Sequence, residues 1–147
     1  MRELNLTLAA VDIGGLDVAL RAALPGQIVG LSTYGTDRPL SIWLADSASQ
    51  ADQTAAAANA TAHDPVFLSA DKTVIAADGL DAATITVQAP KPGAAPVSLL
   101  IGGVVVPVSL TNGVGTVTIR SSDPAIVAIS VQNPQNRTAD QIVVTAR

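Results

Sequence analysis

The chain has 147 residues, of which 48% are hydrophobic, 14% charged and 2% aromatic, with a formal net charge of −4, one histidine and no cysteine. That length holds one medium domain or two small ones, and the apolar content suffices for a buried core, so disorder as the main state is excluded. Without cysteine there are no disulfides, thiolate nucleophiles or Cys-ligated zinc, and the small stock of titratable groups points away from catalysis.

Charge is unevenly placed. Residues 1–64 carry Glu3, Asp12, Asp17, Asp37, Asp46, Asp52 and Asp64 against Arg2, Arg21 and Arg38, whereas residues 65–147 balance five acids with five bases. Neither part offers the basic stripe that phosphate neutralisation or attraction to an anionic membrane requires, so nucleic acid and membrane are both excluded as partners. No run reaches the roughly 20 apolar residues needed to cross a bilayer. The opening, Met1 to Leu8, alternates polar and apolar residues where a secretory signal would be continuously apolar, and reads as a cytoplasmic start.

That alternation of Leu4, Leu6 and Leu8 with Asn5 and Thr7 predicts a half-buried strand. A helix follows, with Asp12 as cap, Ile13, Leu16, Leu20 and Leu24 at helical spacing, and Pro25-Gly26 as the stop; Gly14-Gly15 predicts a start slipped toward Leu16 or Asp17. Two strands, Ile28 to Thr33 and Leu40 to Leu44, flank a loop holding Gly35, Asp37 and Pro39, with Leu40, Ile42 and Leu44 on one face and Ser41 and Trp43 on the other. Ser47 or Ser49 opens a second helix with a capping-box pattern, running through the alanines at 55–58 and ending before Pro65. Its small side chains require close packing against a sheet or a neighbouring helix. Residues 1–64 therefore read as an α+β unit of β-α-β-β-α order.

From Pro65 the helical period gives way to short β-rich runs: 66–68, 72–76, 83–89, 96–101, 104–110, 115–120, 126–131 and 141–145. Asp78-Gly79, Gly102-Gly103, Asn112-Gly113 and Asp123-Pro124 punctuate them as turn formers, and residues 89–93 form a Pro-Gly-rich loop. Seven or eight closely spaced strands predict an antiparallel sandwich over residues 65–147. Pro107 marks its run as an edge strand or a bulge.

The segment Ser69-Ala70-Asp71-Lys72-Thr73-Val74-Ile75-Ala76-Ala77-Asp78-Gly79, then Ala83-Thr84-Ile85-Thr86-Val87, resembles the opening of bacterial immunoglobulin-like domains of the invasin and intimin type. Gly113 to Ile119 and Gln141 to Ala146 resemble later strands of that module, and Asn133-Pro134-Gln135-Asn136 departs from it as a longer polar loop. The first part, ending in Ala62-His63-Asp64-Pro65, resembles small tailed-bacteriophage proteins that lead into a further segment. The two resemblances together imply a virion structural protein, made in the host cytoplasm and placed on the capsid exterior, that decorates the shell as a cement protein or short head fibre. They imply the major capsid protein as partner, an anchoring 1–64 unit and a projecting immunoglobulin-like sandwich. A tail or baseplate component and an extracellular glycan-binding adhesion module are the alternatives.

Individual residues fit that reading. His63, near the end of the second helix, is expected to meet the helix dipole as a cation, and no nucleophile-elbow motif gives it a catalytic partner. Asp71, Asp78 and Asp81 are close enough to supply oxygen ligands to calcium, but Asp78-Gly79 reads first as a tight turn and the spacing lacks the ladder of an EF-hand. Trp43, Tyr34 and Phe67 are too few for a carbohydrate-stacking platform. No cofactor, catalytic residue or metal ligand is assigned. Trp43 reads first as core packing at the junction of the two units and second as an interface anchor; the candidate interface is Trp43 with Ala55, Ala56 and Ala58, and the alanine helix suggests self-association, for instance a trimer at a shell symmetry axis.

Overall fold

A computed structural model describes residues 1–33, 39–132, 137 and 141–147. The chain forms two compact units, one from Met1 to Pro65 with which Arg137 also groups, the other beginning at Val66.

In the first unit, β1 (Arg2–Thr7), β2 (Ile28–Thr33) and β3 (Pro39–Leu44) make an antiparallel sheet in the order β1-β3-β2. Helices α1 (Ile13–Ala23) and α2 (Gln50–Ala62) connect and follow the strands. The helix α1 starts at Ile13 with both glycines included, earlier than their low propensity predicts. Asp12 is the cap, its Oδ1 accepting the Gly14 N–H at 3.1 Å, and this satisfies a first-turn donor that glycine alone leaves open. The second helix begins at Ser49 and not Ser47, because Ser49 and Asp52 close a reciprocal capping box. Leu40, Ile42 and Leu44 of the central strand are fully buried with Leu16 and Leu20 of α1 and Ala56 and Ala60 of α2. Both helices therefore cover the same face of the sheet. Pro39 lies in β3 instead of the preceding loop; Tyr34, Gly35 and Asp37 lie outside the described residues.

Among the described residues the second unit has eight strands: β4 (Phe67–Ala70), β5 (Val74–Ile75), β6 (Ala83–Gln88), β7 (Val97–Ile101), β8 (Val104–Val108), β9 (Val114–Ile119), β10 (Ala125–Val131) and β11 (Gln141–Ala146). They form a three-stranded sheet, β4-β6-β9, and a five-stranded sheet, β5-β11-β10-β7-β8. Ile85 and Val87 from the first sheet and Leu99, Ile129 and Val144 from the second share one buried core. Consecutive strands divided between two sheets in this order make an immunoglobulin-like sandwich. Here β8 extends the sheet of β7, β10 and β11, and the chain then passes directly to β9. The fold is thus an α+β unit followed by an all-β immunoglobulin-like sandwich. The loop expected at 133–136 lies outside the described residues.

That passage from β8 to β9 demands two glycines. Asn112 and Gly113 both have positive φ, 51° and 77°, in a turn closed by reciprocal hydrogen bonds between Thr111 and Val114. A Cβ on Gly113 would lie 2.7 Å from the Ala89 carbonyl oxygen, and one on Gly115 would strike the Ser109 carbonyl oxygen. Pro107 stands in β8, which pairs only with β7 and is an edge strand. The two-residue turn Gly102-Gly103 makes Ile101 and Val104 a hydrogen-bonded pair, so by alternation Val105 and Pro107 direct their main chain outward. Proline thus occupies an outward position where it leaves no ladder bond unmade. No described helix is long and apolar enough to cross a membrane.

Candidate functional site

Trp43 and the three alanines do not share a surface. Trp43 projects from the central strand on the face opposite Leu40, Ile42 and Leu44, half-buried, with Glu3 and Gly30 as cross-strand neighbours. Among the described residues, nothing beyond its chain neighbours comes within 4 Å of the position a Gly30 Cβ would occupy, so they leave that flank of the indole open. Ser41, on the same face, donates to Asn5 Oδ1 at 2.8 Å. Glu3, Asn5 and the buried Ser41 thus surround one aromatic ring on this face. Ala56 faces the other way and is fully buried in its own unit, which makes it a packing residue. Ala55 is packed partly against that core, and Ala58 is exposed. Alternation within a strand fixed the placing of Trp43, whereas the low contrast among alanines hid which of them faced inward.

The histidine sits at the C-cap of α2, as its sequence position predicts, but not as a surface cation. It is 1% exposed, and its Nε2 accepts the Asp12 N–H at 2.9 Å. A nitrogen that accepts has no proton, so the hydrogen bond requires the neutral ring with its proton on Nδ1. His63 thus ties the end of α2 to the start of α1.

The three clustered aspartates serve their own backbone. Asp78 Oδ1 accepts the N–H groups of Leu80 and Asp81, each at 2.8 Å, and these bonds hold its carboxyl below the usual carboxylate range. Asp81 accepts from the Lys72 ammonium and from the N–H groups of Ala76 and Ala82, and it too is held low, chiefly by Lys72. Asp71 Oδ1 accepts the Thr84 N–H at 2.7 Å while its own N–H donates to the Thr84 carbonyl. These are turn and strand-end devices, and no metal-binding group of three or more such side chains occurs among the described residues. A hollow of about 430 Å³ lies at one end of the sandwich, lined by residues 89–94 with Leu110, Asn112 and Gly113. Lys91 is its one titratable side chain.

The sequence reading missed the most distinctive surface, the outer side of the five-stranded sheet. Ile126 is 78% exposed and Val105 48%, and Val74 and Val143 are each 43% exposed. The registers Val74–Thr145–Ile126 and Leu100–Val105 place these side chains on one face. The signal was present in the uninterrupted apolar runs Ile126-Val127-Ala128-Ile129 and Ile142-Val143-Val144, which put apolar groups on both sides of a strand.

No family model matches the chain, and no characterised protein matches it in sequence. Among solved structures it is similar to the D00-D0 domain of intimin, with 17% identity over 100% of this chain and 85% of that one, at a TM-score of 0.42. It is also similar to a C-terminal 282-residue intimin fragment solved in complex with the intimin-binding domain of its translocated receptor: 24% identity, 54% of this chain, 32% of that one, TM-score 0.38. A polysaccharide lyase shows 14% identity over 75% of this chain and 15% of its own length, TM-score 0.43. The chain thus spans less than a third of that enzyme and about a third of the intimin fragment.

Proposed function

We propose that this chain is a non-catalytic virion structural protein that decorates the exterior of a bacteriophage capsid, with the major capsid protein as its partner. The observation that carries this reading is the sheet of the first unit, which its helices cover on one face while the other presents Trp43 beside the open space at Gly30. A half-buried indole among short polar side chains is the kind of anchor that dominates binding energy once a partner closes over it. The titratable side chains fit the same role, because His63, Asp12, Asp52, Asp71, Asp78 and Asp81 all bond to the chain's own backbone.

Imaging of the native particles by electron microscopy, with antibody against this chain, tests the proposal. Label over the heads is expected, and label along the tail with bare heads would overturn it in favour of a tail component. On isolated shells, Trp43→Glu is expected to lower affinity about 30-fold, as loss of a 2 kcal/mol anchor does. Unchanged binding would remove this face from the interface.

A further inference from the structure

The strands of the five-stranded sheet, with sequences VI, QIVVTA, AIVAISV, VSLLI and VVVPV, contain no charged residue. On the outer side, the polar side chains between the exposed Val74, Val143, Ile126 and Val105 and the half-buried Leu100 are those of Thr145, Gln141, Ser130 and Ser98. The outer side of the other sheet differs. It carries Ser69, Thr84, Thr86, Gln88, Thr116 and Thr118, mostly hydroxyl side chains suited to contact with water, with Phe67 and Val114 at one end. A contiguous uncharged apolar face on one side of a sandwich is the pattern of an association surface.

We infer that this face packs against the same face of a second copy of the chain, sheet on sheet about a two-fold axis. The chemistry of the face selects the partner. A charged surface docking here would lose its hydration with no counter-charge offered, whereas an identical face brings no charge to bury. Size agrees as well. Five strands about 4.8 Å apart, two to seven residues long, give a footprint of roughly 400 Å² per copy. A pair of such faces buries roughly 800 Å², the size of a weak and reversible contact, so the dimer forms with a Kd on the order of tens to hundreds of micromolar. Pairing through the β8 edge is hindered at Pro107, which offers no N–H on its outward side, and the other edge strand, β5, is only two residues long. Two-fold closure makes each copy's patch complementary to itself and ends assembly at two.

This inference stands apart from virion attachment, because its test contains no shell. Sedimentation velocity on the full-length chain from about 1 to about 500 µM is expected to show a monomer–dimer equilibrium. Ile126→Lys and Val143→Glu replace exposed side chains and leave the core intact, which far-UV circular dichroism checks. Each is expected to weaken the dimer at least about tenfold, the effect of desolvating one charge without a partner. Thr116→Lys, on the outer side of the other sheet, is expected to leave it unchanged. A monomer throughout that range, a trimer, or a dimer weakened by Thr116→Lys and insensitive to Ile126→Lys would each overturn the inference.

Discussion

In the first unit, polar side chains join elements far apart in sequence. His63 meets Asp12 across 51 positions, Arg2 reaches the Ala48 carbonyl across 46, and Ser41 meets Asn5 across 36. In the second unit the corresponding contacts are local, with Asp71 to Thr84 spanning 13 positions, Lys72 to Asp81 nine and Asp81 to Ala76 five. The difference follows from what each core leaves undone. Two helices on a three-stranded sheet have ends that no ladder fixes, and the alanines of α2 contribute little volume to hold them. A sandwich orders its strands through main-chain ladders, and its side-chain polar groups are needed only where the chain turns. Long-range polar ties and tight-turn backbone geometry are therefore alternative ways of specifying a small fold.

The strongest way to break this contrast is a substitution at Gly115. Its missing Cβ makes room for the Ser109 carbonyl oxygen and for the side chains of Val108 and Leu110. Backbone cannot retreat as a flexible side chain does, so Gly115→Val is expected to destabilise the sandwich by about 3 kcal/mol, at the upper end of overpacking effects. Trp43 is the one tryptophan and belongs to the first unit, so its fluorescence follows that unit while far-UV circular dichroism follows both. In urea the variant should move the dichroism transition and leave the tryptophan transition in place. If both moved together, the two units would unfold as one and the contrast would fail.

The converse experiment removes the long tie in the first unit. His63→Leu keeps an apolar side chain of similar reach but leaves the Asp12 N–H without its acceptor, at an expected cost of about 1–3 kcal/mol. His63→Gln restores an acceptor oxygen and should recover part of that loss. Here the tryptophan transition should move and the sandwich transition should not. Equal losses for Leu and Gln would show that ring packing, and not the hydrogen bond, holds α2 to α1.

These two residues also mark what the sequence makes legible. Short β-rich runs between turn formers located the sandwich strands among the described residues, and Pro107 identified an edge, because both are local consequences of backbone geometry. The cap at Asp12 and the box at Ser49 were readable for the same reason. The acceptor role of His63 was not, since it depends on where a backbone N–H 51 positions away comes to lie. Ala56 and Ala58 differ in burial though their side chains are identical, so hydropathy cannot separate them. The sequence leaves Val104-Val105-Val106 open between a buried strand and an edge sheltered by a partner, because an apolar run has the same pattern whether its second side meets a core or a partner.

The smallest effect sharpens the comparison at the local ties. The carboxyl of Asp81 is held below its usual range by Lys72 and by the Ala76 N–H, and that of Asp78 by the N–H groups of Asp81 and Leu80. A carboxyl whose folded pKa is lowered contributes stability that is fully present above its unfolded pKa, near 4, and is lost as the pH falls through the folded value. The sandwich should therefore lose stability only in acid below about pH 4. Asp81→Asn removes the charge at every pH, so its deficit relative to the natural chain should be constant from neutrality down to about pH 5 and should shrink toward pH 2. Because these groups lie at exposed turns, the deficit should be well below that of His63→Leu. A larger acid-dependent loss in the sandwich than in the first unit would mean that local turn ties, and not ladders and core, carry that fold.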